Sequence, residues 1–422
     1  MKDMTFAPAE VKGEVRIPSS KSQAHRALIC ASLAGDSVVR DIDWSNDMEA
    51  TTSCLRALGA ELTYDPATRV VTVTKPCARG IDAGTVSSGE SASTLRFFIP
   101  LASALGSHTI FTGGGRLPKR PTDLYKPLLE AHGAKLTYPD NGDYLPLDVA
   151  GRLEGGVYSL RGDISSQFVT GLLLALSLID GESRIELTTR LESKPYADLT
   201  VETLRTFGGD ITEADGGYII KKANFHPCDY TVEGDCSQAA FFAVAAAING
   251  CVTLHGLRRN TKQGDFALFD IVSRFGADVR WEGNDVTITK ARKLRASDID
   301  AADIPDLVPA LSVMAACAEG ETRIYNAGRL RIKESDRIAT TKAMLDSLGA
   351  EAYETEDGLR IVGRPKLSGG RVCAFNDHRI AMAAAAASAA CDAPVVVDDM
   401  SCINKSYPAF VRDLISLIGG VV

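Results

Sequence analysis

The chain has 422 residues, of which 45% are hydrophobic and 24% are charged, and its net charge at pH 7 is −8. This length allows two or more domains, and the composition is ordinary for a soluble globular protein. The negative net charge argues against a general binder of nucleic acid or of anionic membranes, because both partners are themselves anionic.

The N-terminal residues give no sign of export. The first ten, MKDMTFAPAE, contain neither an apolar signal-peptide core nor an Arg-rich transit pattern. The most lipophilic run, 380–391, is mostly alanine and too short to cross a bilayer. Ten cysteines without a Cys-x-x-Cys pair favour buried thiols over disulfides. We therefore expect a cytoplasmic protein that contacts no membrane and no nucleic acid.

The first predicted elements are a strand pair in MTFAPAEVKGEVRIP and a helix that begins in RIPSSKSQAHRAL, residues 16–28. Lys21 lies at the start of this helix, where the N-terminal partial charge is already positive. A lysine there is mildly unfavourable unless an anion approaches it. A solvent-exposed lysine after a serine cap is the simpler interpretation, and the rest of the chain has to decide between the two.

A pattern of helix, glycine and short strand then recurs through the whole chain. Its copies are RALGAEL, EAHGAKL, RTFGGDI, SRFGADV, DSLGAEA and SLIGGVV, with first glycines 68 to 75 residues apart. A second series of apolar helices begins near Ser22, Ser91, Ser165, Ser237, Asp306 and Asp377. Each repeat therefore has two helices and several strands in about 70 residues, which predicts an α/β architecture of six repeats.

The sixth repeat stops at Val422, directly after its second helix, so we expect the N-terminal strand pair to complete it. Repeats one to three, residues 19–233, would then form one domain, and residues 1–18 with 234–422 the other. The chain would cross between domains twice, near 18–20 and near 233–235. Two adjacent crossings form a hinge, and the cleft between hinged domains is the expected ligand site.

Cations recur at the predicted helix starts. Second helices are expected to open near Asp47, Arg120, Lys194, Lys262, Lys333–Glu334 and Lys405. Serine and aspartate at such positions are ordinary caps. Lysine and arginine are not, and helix N-termini with added cations are anion sites. Lys21, Arg120, Lys333, Arg379 and Lys405 together favour a site for anionic substrates.

Two carboxylates are candidates for proton transfer. Glu334 lies among cations in RLRIKESDR, residues 329–337, where an exposed, salt-bridged helix start remains the alternative. Neighbouring cations lower a carboxyl pKa, so Glu334 needs desolvation or an anionic neighbour to hold a proton. Asp306, in DIPDLVPAL, is a cap by default and a base only if substrate reaches it. No histidine has metal-ligand spacing and no phosphate loop is present, so we assign no metal.

Ten ordered motifs resemble the 5-enolpyruvylshikimate-3-phosphate synthase (3-phosphoshikimate 1-carboxyvinyltransferase) family: PSSKSQAHRAL, GESASTLRF, KRPTDL, DISSQFVTGLL, SKPYADLT, VEGDCSQAAFF, IPDLVPAL, RIKESDR, NDHRIAM and NKSYPAF. The resemblance covers nearly the whole chain. It implies a two-domain inside-out α/β fold with three repeats per domain. It also implies transfer of the enolpyruvyl group of phosphoenolpyruvate to the 5-hydroxyl of shikimate 3-phosphate, in the pathway to chorismate and aromatic amino acids, by a monomer without metal or organic cofactor.

The resemblance also implies roles, carried over motif by motif. Shikimate 3-phosphate would be held by Lys21, Ser22, Arg26, Ser165, Ser166, Gln167, Ser193, Tyr196, Asp306 and Lys333. Phosphoenolpyruvate would be held by Lys21, Ala92, Arg96, Arg120, Gln167, Arg337, Arg379 and Lys405. Lys21 would touch both substrates, Asp306 would take the proton of the 5-hydroxyl, and Glu334 would protonate the methylene carbon to give a tetrahedral intermediate.

Two departures and two rivals accompany this interpretation. GESASTLR replaces the common GNAGTAMR, which puts Ala92 where many members have glycine, and Arg329 stands where an asparagine is common. UDP-N-acetylglucosamine 1-carboxyvinyltransferases share the fold and the donor, but normally have an asparagine where this chain has Ser22 and a cysteine in the loop at 119–121. A non-catalytic ring of six repeats would leave Asp306 and Glu334 unexplained.

Overall fold

The computed structural model describes residues 3–419, and the chain divides into two compact units. Ser19–Val232 forms one, here called the central unit. The described parts of Met1–Pro18 and Glu233–Val422 form the other, the terminal unit. The end of the last glycine repeat, 420–422, and residues 1 and 2 of the predicted terminal domain lie outside the described residues.

Within residues 3–419, the strands and helices are as follows. Two strands precede the central unit, β1 (Met4–Phe6) and β2 (Val11–Arg16). The central unit contains β3 (Ser37–Arg40), β4 (Glu61–Asp65), β5 (Val70–Lys75), β6 (Asp82–Ser87), β7 (His108–Thr112), β8 (Ala134–Thr137), β9 (Leu147–Gly151), β10 (Val157–Leu160), β11 (Glu182–Leu187), β12 (Asp210–Ala214), β13 (Gly217–Lys221) and β14 (Asp229–Thr231). The terminal unit continues with β15 (Gly250–His255), β16 (Asp278–Glu282), β17 (Asp285–Thr289), β18 (Ile299–Asp300), β19 (Glu321–Tyr325), β20 (Glu351–Glu354), β21 (Leu359–Val362), β22 (Gly370–Val372) and β23 (Val395–Val397).

Six α-helices of the described chain belong to each unit. Those of the central unit are α1 (Lys21–Ala34), α2 (Asn46–Ala57), α3 (Ala92–Leu105), α4 (Tyr125–Glu130), α5 (Ser166–Leu176) and α6 (Lys194–Thr206). Those of the terminal unit are α7 (Cys236–Asn249), α8 (Leu268–Arg274), α9 (Val308–Ala316), α10 (Arg337–Ser347), α11 (His378–Ala386) and α12 (Phe410–Leu417). No helix within residues 3–419 is both long enough and apolar enough to span a membrane.

The sheets repeat one pairing scheme. In the sheet β10-β11-β13-β12, the first pair is parallel and the other two are antiparallel. Across it, Tyr158 lies opposite Ile185, and Ile185 opposite Tyr218, and all three side chains are buried. Along β10 and β11 buried and exposed residues alternate, so these side chains share one covered face, as the period of two requires. The described residues form six such sheets, five of four strands and one of three.

The two N-terminal strands do not stay together, which corrects the predicted completion of the sixth repeat. Strand β1 pairs with β23 of the sixth repeat, antiparallel, with Thr5 opposite Val396. Strand β2 instead pairs in parallel with β15 of the fourth repeat, with Val15 opposite Leu254. Beyond β2, the N–H of Ile17 donates to the carbonyl oxygen of His255 at 2.9 Å and continues this pairing. Only β1 therefore completes the sixth repeat.

The first helix of each repeat is buried on nearly all sides. Helix α7 reads CSQAAFFAVAAAIN and α11 reads HRIAMAAAA, and neither has a polar face. Helices that are apolar all round belong to a core, and α7, α9 and α11 pack against one another in pairs. Side-chain oxygens of Ser20, Ser91, Ser165, Asp235 and Asp377 cap the N-termini of α1, α3, α5, α7 and α11. The caps fix where the polar ends of the core helices lie.

Candidate active site

Lys21 is the first residue of α1, directly after the cap Ser20. Its ammonium lies 2.7 Å from the Oδ2 atom of Asp47, in the first turn of α2. Only 19% of the lysine side chain and 10% of the aspartate side chain are exposed. Lys21, the cation at the positive end of the helix dipole, therefore has the carboxylate of Asp47 beside it. This pairing was not predicted from the sequence.

Arg26 connects two stretches that were predicted to bind shikimate 3-phosphate. Its guanidinium donates to the carbonyl oxygens of Ser22, at 2.6 Å, and Tyr196, at 2.8 Å. It also donates to the hydroxyls of Thr200, at 2.7 Å, and Thr170, at 3.1 Å. These bonds use four of the five N–H groups. Burial lowers the pKa of Arg26 to about 10, so the residue is charged at neutral pH and braces α1 against α5 and α6.

Arg96 and Gln167 join the N-terminal parts of α3 and α5. The guanidinium of Arg96 donates to Oε1 of Gln167, at 2.8 Å, and lies 4.8 Å from the ring centroid of Phe168. The amide nitrogen of Gln167 donates to the hydroxyl of Ser93, at 2.9 Å. Because its oxygen accepts one bond and its nitrogen donates the other, the side-chain amide of Gln167 is held in one orientation. Ala92, the first residue of α3, directly precedes Ser93.

The other predicted shikimate 3-phosphate residues of this unit lie at two helix starts. Ser165 caps α5, and Ser166 is its first residue and is buried. Ser193 precedes α6 with a φ of 53°, in the left-handed region, and it is buried. Such a conformation costs a non-glycine residue about 1–2 kcal/mol. Tyr196 lies in the first turn of α6, and its carbonyl oxygen receives the bond from Arg26.

Three of the cations do not lie at α-helix N-termini, contrary to prediction. Arg120 directly follows the 3₁₀ turn Leu117–Lys119, Lys333 follows Gly328–Ile332, and Lys405 ends Ser401–Lys405. The α-helices begin only later, at Tyr125, Arg337 and Phe410. The helix-dipole argument is therefore wrong for these three, while Lys21 and Arg379 do lie in first turns.

In the terminal unit, Arg337 gathers three carboxylates. Its guanidinium contacts Asp306 at 2.9 Å, Glu334 at 2.7 Å and Asp377 at 2.8 Å, and only 2% of its side chain is exposed. Burial alone would lower the pKa of Arg337, but Asp377, Glu334 and Asp306 together raise it above its usual value. Arg337 thus remains charged and holds both candidate proton-transfer groups.

Asp306 is bound by further cations. Its Oδ2 atom lies 2.7 Å from Arg379, and its Oδ1 atom lies 3.9 Å from the ammonium of Lys333. Burial would raise the pKa of Asp306, but Arg379, Lys333 and Arg337 hold it far below the ordinary value. Burial also lowers the pKa of Lys333 to about 8, although Asp306 opposes this shift. Asp306 lies inside the 3₁₀ turn Pro305–Leu307 and is not its cap.

Asp377 was not assigned a role from the sequence, yet it organises this cluster. It caps α11, accepting from the backbone N–H of Arg379 at 3.0 Å, and it accepts from the hydroxyl of Ser335 at 2.9 Å. Lys405 donates to the carbonyl oxygen of Asn376 at 2.7 Å. Buried cations are usually paired, so charge balance predicts that a counter-ion exists, but it does not single out Asp47 or Asp377.

The described residues contain no group of three or more His, Cys, Asp or Glu side chains arranged to hold a metal ion. Two charged clusters, one around Lys21 in the central unit and one around Arg337 in the terminal unit, instead place buried cations beside carboxylates. Such sets bind anions and exchange protons.

Comparisons with known proteins agree with this chemistry. The model of the EPSP synthase (3-phosphoshikimate 1-carboxyvinyltransferase) family matches residues 6–414. The chain belongs to this family. It is 41% identical to the 3-phosphoshikimate 1-carboxyvinyltransferase of Clostridium kluyveri, covering 100% of this chain and 98% of the relative. It is 42% identical to that of Clostridium novyi, with the same coverage.

A solved structure of EPSP synthase from Acinetobacter baumannii is similar to the chain, with a TM-score of 0.81 and 26% identity over 99% of this chain and 98% of that one. The predicted family and the α/β fold of six repeats are therefore confirmed.

Proposed function

We propose that the charged clusters of the two units together catalyse the reaction of the family. The enolpyruvyl group of phosphoenolpyruvate is transferred to the 5-hydroxyl of shikimate 3-phosphate, and phosphate is released. One observation carries the residue assignment: Asp306 and Glu334 bind the same guanidinium, that of Arg337, at 2.9 and 2.7 Å. A proton acceptor and a proton donor thus accompany the cations that two anionic substrates need.

Asp306 is the proposed base for the 5-hydroxyl. With Arg379, Lys333 and Arg337 around it, its pKa is low and it is a weak proton acceptor. Anionic substrates that bind these cations offset their positive charge, so the pKa of Asp306 rises when the site is filled. The base becomes effective only with substrate bound, which favours transfer over unproductive proton exchange.

Glu334 is the proposed acid, and this role requires that it carry a proton when the reaction begins. The 5-hydroxyl oxygen bonds to C2 of phosphoenolpyruvate while its proton passes to Asp306, and Glu334 gives its proton to the methylene carbon. In the second step a methyl proton of the tetrahedral intermediate passes to the Glu334 carboxylate, and the bond between C2 and the phosphate oxygen breaks. The leaving phosphate takes the proton held by Asp306, and the enolpyruvyl ether remains. Asp306 gains a proton as Glu334 loses one, so the total charge around Arg337 is unchanged in the first step. The buried guanidinium is never left without a carboxylate.

The remaining groups bind the substrates. Ser22, Arg26, Ser165, Ser166, Gln167, Ser193, Tyr196 and Lys333 are assigned to shikimate 3-phosphate, and Ala92, Arg96, Arg120, Gln167, Arg337, Arg379 and Lys405 to phosphoenolpyruvate, with Lys21 on both. Pairing substrate anions with cations removes their mutual repulsion and holds the reacting atoms together. All of these groups come from one chain, so a monomer suffices. A cytoplasmic location stays a prediction.

A coupled phosphate-release assay tests the proposal. Phosphoenolpyruvate is supplied with shikimate 3-phosphate in one arm and with UDP-N-acetylglucosamine in the other. We expect phosphate release only in the first arm, together with an enolpyruvyl ether of shikimate 3-phosphate. Release in the second arm, or in neither, contradicts the assignment.

A further inference from the structure

A line of buried hydrogen bonds crosses three helices of the central unit. Nδ1 of His25 on α1 lies 2.7 Å from the hydroxyl of Thr51 on α2, which lies 2.8 Å from the hydroxyl of Thr94 on α3. The hydroxyl of Thr94 donates to that of Ser91, the cap of α3, at 2.9 Å. All four side chains are at most 2% exposed. We call these four residues the His25 relay.

The direction of each bond follows from counting protons. A hydroxyl carries one proton, and that of Thr94 goes to Ser91. Thr51 must therefore donate to Thr94, and Nδ1 of His25 must donate to Thr51. Burial, with Lys21 and Arg26 nearby, lowers the pKa of His25 well below its usual value, so the ring is neutral. The proton is then on Nδ1, and the buried Nε2 has no hydrogen-bond partner among residues 3–419.

The relay ends at the N-terminus of α3. The hydroxyl of Ser91 accepts from both the backbone N–H and the hydroxyl of Thr94. The next two residues are Ala92, assigned to phosphoenolpyruvate, and Ser93, which accepts from Gln167. At its other end, His25 lies one turn after Lys21 on α1.

We propose that His25 is a positioning residue for the phosphoenolpyruvate side of the site, acting through Thr51, Thr94 and Ser91. The relay fixes the position of the first turn of α3 relative to α1. It thereby fixes the positions of Ala92, Ser93 and Gln167 relative to Lys21. This inference rests on the proposed assignment of Ala92 and Gln167. Gln167 is assigned to both substrates, but the residues of α5 and α6 that are assigned to shikimate 3-phosphate alone are not members of the relay: Ser165, Ser166, Ser193 and Tyr196.

Steady-state kinetics test the proposal with Thr51→Val, Thr94→Val and His25→Leu. His25→Leu removes one relay bond and each threonine variant removes two, all at similar side-chain size. We expect the KM for phosphoenolpyruvate to rise by at least about fivefold, the effect of one neutral hydrogen bond. The KM for shikimate 3-phosphate should change less than twofold. His25→Asn keeps an N–H at the Nδ1 position and should restore most of the loss. Thr52→Val is the matched control, because Thr52 is equally buried on α2 but donates to the carbonyl oxygens of Met48 and Glu49.

Equal KM values for phosphoenolpyruvate in Thr51→Val, Thr94→Val and Thr52→Val would overturn the positioning role. A second measurement does not depend on turnover. In the ¹⁵N NMR spectrum, assigned with His25→Asn, the ring of His25 should be neutral and protonated on Nδ1 at pH 6–8. A proton on Nε2 overturns the relay even in an active enzyme. Absence of turnover in the wild type with an Nδ1 proton contradicts the proposed function and leaves the relay direction supported.

Discussion

Asp306 and Glu334 have the same nearest cation but opposite proposed tasks. Both lie on Arg337, and Asp306 also contacts Arg379 and Lys333. The additional cations keep Asp306 ionised, as a base requires before the reaction. Glu334 faces the like charge of Asp306, and a nearby like charge favours the protonated form that a proton donor needs. Environment thus separates two chemically similar carboxyl groups.

Removing either titrating group should abolish most turnover. We expect Asp306→Asn and Glu334→Gln to reduce kcat by about 10²-fold or more, the usual scale for general acid–base groups. The matched control is Asp336→Asn, in the same segment, since Asp336 caps α10 and asparagine caps equally well. Circular dichroism should show all three folded. Near-wild-type kcat in either test variant removes that residue from the scheme.

Lys333 should make binding of shikimate 3-phosphate pH-dependent. Its pKa is lowered to about 8, so it is protonated below pH 8 and loses its charge above it. An anion binds the protonated form, and the dissociation constant should therefore rise between pH 8 and 9.5, by up to about tenfold per pH unit. Calorimetric titration measures it. Lys333→Arg keeps the charge throughout and should give a flatter profile; the same slope in both proteins would show that another group titrates.

Ala92 bears on inhibition by glyphosate, an anion that occupies the phosphoenolpyruvate site in this family. Ala92 is 5% exposed, so its methyl either crowds the ligand or packs only against the unit. One extra methyl in a filled space costs about 1–3 kcal/mol, roughly ten- to a hundredfold in affinity. We expect tolerance in the wild type and an inhibition constant at least tenfold lower in Ala92→Gly at fixed phosphoenolpyruvate. Equal constants mean that the methyl never meets the inhibitor.

At the scale of the element, the sequence predicted the type and order of the helices and strands better than it predicted the residues at which they begin and end. The caps Ser91, Ser165 and Asp377 and the repeat glycines were recognisable because they follow local rules, and all six first glycines of the repeats have positive φ values. The helix starts predicted at Arg120, Lys333 and Lys405 were wrong, because a 3₁₀ turn followed by an α-helix has the same local pattern as one longer helix.

Partners that are distant in the chain could not be predicted. Asp47 is 26 residues from Lys21, and Asp377 is 40 residues from Arg337. Nothing in the local pattern of either aspartate distinguishes a cap from a counter-ion. The same holds for β2, which reads as half of a hairpin but pairs with a strand more than 230 residues away.

Gly171 decides how closely α3 and α5 approach. A methyl at this position would lie 2.5 Å from the carbonyl oxygen of Arg96 and would also meet the hydroxyl of Tyr125. We expect Gly171→Ala to cost about 1–3 kcal/mol and to lower Tm by about 3–10 °C, because neither helix backbone can move locally. Gly114→Ala is the control, since the nearest atom to its methyl would be 3.9 Å away. Equal Tm values for the two variants would show that α3 and α5 separate freely.

At the scale of the molecule, each unit is built from three sheets and buried core helices with capped, polar N-termini, and each carries its own cationic cluster. Repetition explains this: the same repeat places a helix start in the same position three times per unit. The carboxylate pair on Arg337 belongs to the terminal unit, whereas the serines of α5 belong to the central unit. The proposed assignment of shikimate 3-phosphate therefore requires groups from both units for one substrate.

Hydrogen exchange can test that dependence directly. Shikimate 3-phosphate should slow amide exchange in the first turn of α5, around Ser166 and Gln167, and also in the segment around Lys333, because one ligand is assigned to both. A ligand that binds only the closed form of a segment suppresses its local opening, by a factor that grows with the ratio of ligand concentration to Kd.

Inorganic phosphate at the same concentration is the control for a simple anion effect. Ser166→Ala should weaken protection at both segments together, since it lowers the affinity of the single ligand, whereas it should not alter exchange in the free protein around Lys333. Protection confined to one unit at saturating ligand would mean that the two clusters do not share this substrate.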